Sequence, residues 1–264
     1  MLLIKIGGGK DLNLKGIAAD LGTLKEKCII VHGANAFRDE LAKKLGIEKR
    51  VVTSLSGYDS VFSDENTIDL AMMAYAGLKN KRIVELLQQN GINAVGLSGL
   101  DGKVLQGKRN SGIKVREGGK TLLLRDFSGK PKAINKQLLD LLLDNGYTPV
   151  LSVPLIDENN FAINSENDDI VALLQTEMKA DKVISLIEAP GFLMDKDDNS
   201  SLVSKMSKAE LEAMEEKVEG RMKRKILAMR KLFGEGGDTT VILSDGRTEH
   251  PIKDALEGKG TTIS

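Results

Sequence analysis

Cysteine and aromatic residues are scarce in this sequence. Its 264 residues include one cysteine, no tryptophan and only 3% aromatic residues. A single cysteine cannot form an intramolecular disulfide, and Cys28 lies in an apolar run that ends at Val31, so we expect a buried thiol in a reducing compartment. So few aromatic rings also argue against stacking platforms for single-stranded nucleic acid.

An excess of charge and long apolar runs are missing as well. The 38 basic and 38 acidic residues cancel, so the net charge favours neither nucleic acid nor an anionic membrane as a partner. No apolar stretch approaches the roughly 20 residues of a membrane span, and Met1 to Ile6 is too short for a secretory signal. We therefore expect a cytoplasmic protein in which local sites bind any phosphate groups.

The chain does have ample hydrophobic content, 41% of its residues, which suits one large α/β domain. Apolar runs predict strands at Leu2 to Ile6, Cys28 to Val31, Ala94 to Leu97, Pro149 to Val153, Val183 to Leu186 and Thr240 to Leu243. Helical spacing of apolar residues predicts helices at Ala36 to Leu45, Thr67 to Asn90, Lys132 to Asn145, Asp168 to Lys179, Lys208 to Glu215 and Arg221 to Phe233. Their alternation predicts a three-layer αβα sandwich around a mainly parallel sheet.

Residues 101–131 differ from the rest, because glycines interleave with short apolar stretches there. This pattern predicts β-hairpins that leave the main sheet. No linker or repeat divides the chain, so we expect a single domain over residues 1–264. A boundary near residue 178 would separate lobes 1–178 and 179–264, with ligands at the carboxyl ends of the strands.

The first motif is Lys5-Ile6-Gly7-Gly8-Gly9, a strand that ends in glycines. Glycines let backbone N–H groups approach phosphate oxygens, and the Lys5 ammonium can neutralise charge on a transferred phosphoryl group. The alternative is a plain glycine turn with a surface lysine. The spacing of a P-loop is absent.

The second motif, Val31-His32-Gly33-Ala34-Asn35, is again a strand followed by small residues that open a helix. Free N–H groups at that helix start would bind a carboxylate or a phosphate. His32 is one of two histidines in the chain. A lone histidine at a strand end is more often structural than catalytic, so we assign it no catalytic role.

The third motif, Asn164-Ser165-Glu166-Asn167-Asp168-Asp169, opens a predicted helix. It is either a plain N-terminal cap or a polar cluster that binds substrate and orients lysines. Glu166 and Asp168 have a spacing that also suggests a metal site, but nucleotide-borne Mg²⁺ usually takes few protein ligands. We therefore expect no metal site built from side chains.

The fourth motif, Gly220 to Ile226, is a basic helix start that follows an acidic helix. Such a charge run is commonly a solvated helix face. Lys225, about one turn into the helix, is alternatively placed to reach a phosphate while Met222 packs inward.

In this order, the four motifs resemble the amino acid kinase family over the whole chain, and specifically its N-acetylglutamate kinase branch. Asn93 to Gly102 resembles the AxGLSGxDG segment of that branch, and Gly260 to Ile263 resembles its terminal GTxI strand. Thr53-Ser54-Leu55-Ser56-Gly57 is similar to the TSPSG loop of kinases that act on α-aminoadipate or glutamate attached to an amino-group carrier protein of the LysW type. That subfamily is our first interpretation.

The resemblance implies ATP and Mg²⁺ as cofactors and direct attack of a substrate carboxylate on the γ-phosphorus, in lysine or arginine biosynthesis. By it, Lys5 and Lys225 match the lysines that stabilise the transferring phosphoryl group and bind the nucleotide, and Asp168 matches the aspartate that holds both. The N-terminal lobe would bind substrate and the C-terminal lobe nucleotide. A homodimer is implied only by the resemblance.

Further roles follow from the same resemblance. Gly7 and Gly8 match the loop that approaches the phosphates, and Asn164 matches a substrate-binding asparagine. The positions of Ala34, Asn35 and Val61 also match substrate-binding positions of the family, although the residues there are different.

Those departures concern recognition. Where the family has HGGG, Ala34 and Asn35 replace two glycines, and Val61 stands where relatives have an arginine that binds a substrate carboxylate. On the nucleotide side, Ile187-Glu188 replaces Ser/Thr-Asp and Arg221 replaces a glycine. Because the lysines and Asp168 remain, we expect phosphoryl transfer with a shifted substrate.

Three hypotheses remain open. A kinase acting on a carrier-linked amino acid predicts a basic strip at the active-site mouth for an acidic carrier protein, with Lys43, Lys44, Lys49 and Arg50 as candidates. An N-acetylglutamate kinase, or a kinase of another small-molecule acylated amino acid, needs no such strip but should need the arginine absent at Val61. A non-catalytic regulatory protein that keeps the kinase fold is the third.

Overall fold

The computed structural model describes residues 1–48, 50–55, 59–195, 197–217, 220–233 and 239–264. The side chains of Asp59, Ser60, Glu117 and residues 220–225 also lie outside this description.

Strands and helices alternate along most of the chain. The strands are β1 (Leu2–Ile6), β2 (Cys28–His32), β3 (Val51–Thr53), β4 (Asp59–Val61), β5 (Ala94–Ser98), β6 (Leu105–Arg109), β7 (Ile113–Glu117), β8 (Lys120–Leu124), β9 (Gly129–Ile134), β10 (Thr148–Ser152), β11 (Leu155–Ile156), β12 (Ala162–Ile163), β13 (Lys182–Ile187), β14 (Lys205–Met206), β15 (Thr240–Asp245) and β16 (Thr261–Ile263). The α-helices are α1 (Leu14–Leu24), α2 (Asn35–Leu45), α3 (Glu65–Ala71), α4 (Asn80–Gln89), α5 (Lys136–Asp144), α6 (Asn167–Met178), α7 (Lys208–Lys217), α8 (Gly220–Lys231) and α9 (Pro251–Leu256).

An eight-stranded sheet forms the centre, in the order β14-β16-β15-β13-β1-β2-β10-β5. Its pairs are parallel except for β15 with β16. Short returns cannot join parallel strands, so helices make the crossovers and cover both faces. All six strands predicted from the sequence are present in this sheet, within two residues at each end.

Both faces of the sheet are buried, which gives the predicted three layers. In β1, Leu3 faces one hydrophobic cluster, whereas Leu2, Ile4 and Ile6 face the other. The first cluster includes side chains of α5, α6 and α8, and the second is closed by α1, α4 and α9. Each fully buried leucine or isoleucine contributes roughly 1.5–3 kcal/mol. Continuous apolar strands are therefore stable at the centre.

The predicted helices are present, with one boundary corrected and two helices added. Residues 132–134 belong to β9, and α5 begins only at Lys136, because the Asn135 side chain accepts a hydrogen bond from the Leu138 N–H at 3.1 Å and caps the helix there. Helices α1 and α9 were not predicted. The buried thiol of Cys28 is confirmed.

The predicted hairpins leave the main sheet as expected. Strands β6 and β9 pair in a four-stranded sheet with β11 and β12, while β7 and β8 form a separate hairpin. A small cluster of Val52, Phe62 and Val115 packs that hairpin against the β3–β4 ribbon. The β3–β4 ribbon and the β7–β8 hairpin both reach the region after β1 and β2. Val61 of β4 and Ile113 of β7 line one cavity there with Gly7 and Gly8.

One long helical stretch runs from α3 to α4 through a π-helical segment, Met72–Lys79. A π-helical turn carries an extra residue and often marks a functional region. None of the helices in the described ranges is long and apolar enough to cross a membrane.

The predicted lobe boundary near residue 178 falls at the end of α6. The following strand β13 pairs with β1 in a five-residue parallel register, so the sheet continues across that boundary. The division into two lobes stays a prediction.

Candidate active site

A cavity of about 560 Å³ lies at the carboxyl ends of β1 and β2. The loops after these strands, the start of α6 and the β4 and β7 excursions line it. Ligands bind at this edge in open parallel sheets, because the strand order leaves a crevice there.

Lys5 and Asp168 meet in this cavity. The Lys5 Nζ lies 2.5 Å from Asp168 Oδ1, and the two side chains are only 15% and 28% exposed. Lys5 comes from the central strand and Asp168 from the first turn of α6, so rigid elements hold both groups. The structure therefore contains the predicted contact. Catalysis by either residue stays a prediction.

The two glycine loops pack against each other. A Cβ added at Gly33 would lie 2.8 Å from the Gly8 backbone, and one added at Gly8 would lie 2.9 Å from the Asn35 nitrogen. Gly7 donates its N–H to the Leu186 carbonyl at 3.0 Å, and both Gly7 and Gly8 line the cavity. Close backbone packing thus requires glycine at Gly8 and Gly33.

Asn35 and Ala34 have different environments. Asn35 lines the cavity, and its Oδ1 accepts a hydrogen bond from the hydroxyl of Tyr75, which lies in the π-helical segment. Ala34 is fully buried in the hydrophobic core, so only its backbone is available to a ligand. Their substrate-binding roles stay predictions.

The helices that begin at the cavity lack side-chain caps. Neither Ala34, before α2, nor Glu166, before α6, makes a side-chain N-cap bond. In contrast, Asn13, Asp64 and Asn135 cap α1, α3 and α5. At α2, the Ala36 N–H donates to the Gly8 carbonyl at 3.0 Å. The positive end of α2, which has no acidic residue in its first turn, favours an anionic ligand, whereas Asp168 and Asp169 occupy the first turn of α6.

His32 is a structural residue at this edge. It is completely buried, its Nε2 lies 3.2 Å from Asn80 Nδ2 and its Nδ1 lies 3.4 Å from the Gly33 carbonyl. Burial lowers the pKa of His32 to about 3, and the charges of Lys79 and Lys81 act in the same direction. A neutral ring in these contacts agrees with the structural role inferred from the sequence.

A second, smaller cavity of about 160 Å³ shares Lys5 and Asp168 with the first. Its other walls are mostly apolar and come from β13, β15, α8 and the segment after β13, including Met229 of α8 and Phe192 of that segment. Position 225 lies one helical turn before Ala228 of this wall. The Lys225 side chain, like that of Arg221, lies outside the described residues.

The opposite wall of the large cavity is polar. Asn164 lines it, and its Nδ2 lies 3.3 Å from the Ser63 Oγ. Asp126, 1% exposed, accepts the N–H groups of Ser63 and Ser128 at 3.0 and 3.1 Å and the Ser128 hydroxyl at 2.6 Å. Asp126 therefore fixes the hydroxyl and amide groups that face the cavity.

Two charged residues at the rim have altered environments. Partial desolvation and the neighbouring carboxylates Asp168 and Asp169 raise the pKa of Glu166. Glu188 lies over the glycine loop, since a Cβ added at Gly9 would lie 2.1 Å from its carboxylate carbon. Glu188 also accepts the N–H of Asp11 at 2.8 Å. Gly9 thus makes room for a carboxylate of the chain itself.

Sequence reasoning missed several cavity residues, namely Arg38, Ser63, Tyr75, Asp126 and Ser128. The sequence Asp126-Phe127-Ser128-Gly129 is typical of a turn, in which an aspartate side chain accepts hydrogen bonds from the residues that follow it. This pattern could have indicated the role of Asp126. Arg38 and Tyr75 lie on helices at spacings that are ordinary for surface and core residues. Val61 lines the cavity as an apolar side chain.

A parallel sheet with glycine loops and a lysine–aspartate pair at its carboxyl edge is typical of enzymes that bind phosphorylated ligands. The model of the amino acid kinase family matches residues 1–244. The chain belongs to the amino acid kinase family.

Relatives over the full length agree with this assignment. The chain is 40% identical to the LysW-aminoadipate kinase of Thermus thermophilus, with all of both chains aligned. It is 32% identical to the acetylglutamate kinase of Methanopyrus kandleri, again with both chains fully covered. Among solved structures, the N-acetylglutamate synthase of Neisseria gonorrhoeae superposes with a TM-score of 0.77 at 22% identity, covering all of this chain and 59% of the synthase. That likeness shows the fold alone.

Proposed function

We propose that the protein transfers the γ-phosphoryl group of ATP to the side-chain carboxylate of α-aminoadipate or glutamate linked to an acidic amino-group carrier protein, in lysine or arginine biosynthesis. The observation that carries this proposal is the Lys5–Asp168 pair, which lies where the two cavities meet. The full-length similarity to LysW-aminoadipate kinases supports the same acceptor.

In the proposed reaction, an oxygen of the acceptor carboxylate attacks the γ-phosphorus while the bond from that phosphorus to the β–γ bridging oxygen breaks. The products are an acyl phosphate and ADP. Little covalent chemistry is required of the protein, so positioning and charge neutralisation supply most of the rate enhancement. Lys5 neutralises the transferring group, Asp168 holds the Lys5 ammonium in place, and Gly7 and Gly8 allow the phosphates close to the backbone.

Mg²⁺ is proposed to enter with the nucleotide. No group of three His, Cys, Asp or Glu residues in the part of the chain that the structure describes is arranged to hold a metal ion. The described residues fit a cation held mainly by phosphate oxygens and water, with Asp168 as a carboxylate that could assist from the cavity wall. When bound, Mg²⁺ would neutralise charge on the phosphates.

Three of the four basic residues predicted to contact the carrier protein lie among the described residues. Lys43 and Lys44 lie in the last turn of α2, about 12 Å along the helix axis from Asn35. Lys44 pairs with Glu40 at 2.6 Å, and the Arg50 guanidinium stacks on the Phe62 ring at 4.5 Å. Lys49 lies outside the described residues. The β7–β8 hairpin is nearer the cavity, because Ile113 lines it.

The outer face of this hairpin suits an acidic partner. Cross-strand partners share a face, so the pairs Lys114–Leu123 and Arg116–Thr121 point to one side. Val115 on the other side is buried. Lys114, Arg116, Thr121 and Leu123, which we call the hairpin face, are all exposed. We propose that the carrier protein docks on the hairpin face, with charges steering the encounter.

Reversing the charge of the hairpin face tests the docking. The variant Lys114→Glu/Arg116→Glu should raise KM for carrier-linked aminoadipate about tenfold and change kcat little, because steering charges affect the encounter more than the chemistry. Steady-state ADP release measures both constants. The matched variant Lys27→Glu/Lys182→Glu, which reverses two exposed lysines at the opposite end of the strands, should behave like the wild type. An equal KM change in both variants would remove the hairpin face as the docking surface.

The activity itself is tested by ADP release with Mg²⁺-ATP and trapping of acyl phosphate by hydroxylamine. Carrier-linked aminoadipate, carrier-linked glutamate and free N-acetylglutamate are offered side by side. Hydroxamate from a carrier-linked acceptor supports the proposal. Hydroxamate from N-acetylglutamate alone favours the second candidate, an N-acetylglutamate kinase, which the Methanopyrus relative supports. No turnover with any acceptor contradicts both.

A homodimer and a cytoplasmic location complete the proposal. The long helical stretch exposes Met73 and Leu78, at 43% and 47%, which supports an interface between two copies. Sedimentation of the purified chain measures the assembly state.

A further inference from the structure

Two cationic side chains line the large cavity within the described part of the chain, Lys5 and Arg38. Lys5 is already bonded to Asp168. Arg38 has no role in the phosphoryl transfer derived above. A dicarboxylate acceptor has a second negative charge, and this charge needs its own partner in a cavity that contains several carboxylates.

Arg38 faces the cavity rather than bulk solvent. It lies three residues after Asn35 in α2, so both residues lie on the same side of the helix, and both line the cavity. Its side chain is only 13% exposed. Most of the side chain is therefore packed against protein, and it lines the cavity with the remainder.

The guanidinium retains donors for a ligand. Its Nε and Nη2 both donate to one oxygen, Asp39 Oδ1, at 3.0 and 2.7 Å. Guanidinium has five N–H groups, and two are used in this way. The acceptors that the structure describes provide no partner for the Nη1 group. The half-exposed Asp39 holds the Arg38 guanidinium in place through these two bonds. The remaining N–H groups of Arg38 are available to a ligand.

The other cavity carboxylates do not satisfy Arg38. Asp126 accepts three bonds from Ser63 and Ser128, and Asp168 is bonded to Lys5. No ion pair joins either of them, or Glu166, the third carboxylate that lines the cavity, to Arg38 among the described side chains. The charge of Arg38 also acts on the phenol of Tyr75, opposing the effect of burial, which raises its pKa. Arg38 is therefore close to the Tyr75–Asn35 contact at the cavity wall.

We propose that Arg38 binds the α-carboxylate of the acceptor amino acid while the side-chain carboxylate lies at Lys5 and Asp168. The inference rests on the proposed function and names its specificity-determining residue. Val61 and Ile113 supply apolar walls of the same cavity, which suit the methylene chain between the two carboxylates. The guanidinium can donate two parallel hydrogen bonds to a carboxylate, which a lysine cannot.

The test compares two acceptors that differ only in this carboxylate. Carrier-linked α-aminoadipate has it, and carrier-linked 5-aminopentanoate has the same chain without it. In the variant Arg38→Met, kcat/KM for aminoadipate should fall about tenfold to a hundredfold, the loss expected for hydrogen bonds to a charged group. The wild-type preference for aminoadipate over aminopentanoate should fall by the same factor, with kcat/KM for aminopentanoate unchanged.

Arg82→Met is the matched control, since Arg82 is exposed and pairs with Glu85 on α4, away from the cavity. It should leave the preference unchanged. Arg38→Lys should recover only part of the preference, because an ammonium cannot form the bidentate contact. An equal fall with both acceptors in Arg38→Met would identify a structural role and overturn the inference. An unchanged preference would overturn it as well.

Failure of the proposed function gives a different result. In that case the wild type forms hydroxamate with neither acceptor. The inference is then decided by thermal unfolding in the presence of N-acetyl-α-aminoadipate. Stabilisation of the wild type and of Arg82→Met, but not of Arg38→Met, supports the carboxylate site. Equal stabilisation of all three, or of none, overturns it.

Discussion

The two ends of the large cavity are built in different ways. At the phosphoryl end, Lys5 comes from the central strand, and the loops of Gly8 and Gly33 pack backbone against backbone. At the acceptor end, Val61 and Ile113 come from short strands outside the main sheet. A side chain at Gly8 or Gly33 would collide with backbone, whereas a change at Val61 alters only the lining of the cavity.

This difference accounts for one departure from the family pattern, the one at Val61. Lys5 and Asp168 are retained at the phosphoryl end, where they meet at 2.5 Å. At the acceptor end, Val61 is apolar, and among the described residues Arg38 on α2 provides a cation at the cavity wall. If the proposed roles hold, the central strand and the start of α6 supply the chemistry, and the β4 and β7 excursions supply part of the recognition surface.

The largest expected effect is at the phosphoryl end. Lys5→Met should lower kcat at least about a hundredfold, because it removes a preorganised donor from the transferring group. Lys225→Ala should have an effect of the same size if its predicted role is correct. Steady-state ADP release measures kcat, and thermal unfolding checks that both variants keep the fold.

The control is Lys27→Met, a change of an exposed lysine paired with Asp144 at 3.1 Å, which should leave kcat unchanged. Wild-type turnover in Lys225→Ala would remove the nucleotide-side lysine from the mechanism. Wild-type turnover in Lys5→Met would reject the division between the two ends.

A smaller effect is expected from Asp126 at the acceptor end. Asp126→Asn places an amide where the carboxylate accepts the N–H groups of Ser63 and Ser128 and the Ser128 hydroxyl. The free energy of unfolding should fall by roughly 1–3 kcal/mol, the cost of unsatisfied buried groups. KM for the acceptor should rise about tenfold with a smaller change in kcat, since Ser63 contacts Asn164 at the cavity wall.

Asp157→Asn separates stability from recognition. Asp157 is also buried and accepts two backbone N–H groups, those of Asn159 and Phe161, but it does not line the cavity. It should lose comparable stability, measured by urea unfolding, and keep the wild-type KM. If both variants raise KM equally, Asp126 acts through general destabilisation.

The sequence predicted the elements that bury apolar residues on both faces. Strands such as β1 and β13 are continuous apolar runs, and such runs can be recognised without tertiary information. The start of α5 was wrong because the helical spacing extends back to Lys132, whereas the cap at Asn135 and pairing with β6 decide the boundary. The π-helical segment depends on packing and has no simple sequence signal.

Several positions that the family resemblance indicated lie together at the cavity, although their roles stay predictions. Lys5, Gly7, Gly8, Asn164 and Asp168 all line the cavity. On the acceptor wall the resemblance indicated the positions of Val61 and Asn164, but Arg38, Ser63, Asp126 and Ser128 were missed, because only the tertiary fold brings these separate segments together.

Arg38 shows the limit most clearly. It lies beside Asp39 on a helix with several charged residues, which is the pattern of a solvated face. Its low exposure depends on how the tertiary fold packs around α2, including α3 and the π-helical segment, and no local pattern contains that information.

His32 gives the smallest expected effect and tests the interior beneath the phosphoryl end. Burial lowers its pKa to about 3, so the folded chain stays neutral there while the unfolded chain takes up a proton near the ordinary value of about 6.5. Stability from this residue is therefore present above about pH 6.5 and is lost as the pH falls toward 3, with a slope of at most about 1.4 kcal/mol per pH unit. Between pH 7 and pH 6 the loss should be under about 1 kcal/mol.

Urea unfolding of the wild type and of His32→Gln from pH 8 to pH 5 measures this slope, which should be shallower in the variant whatever its absolute stability. His250→Gln keeps His32, so a slope that persists in that variant belongs to the buried ring. The profile of kcat/KM should show no inflection from His32 over the same range, because a ring held by Asn80 and the Gly33 carbonyl does not exchange protons with the cavity. An inflection that disappears in His32→Gln would instead place this histidine in the chemistry, and the phosphoryl end could then no longer be described as a lysine–aspartate pair on a neutral, rigid support.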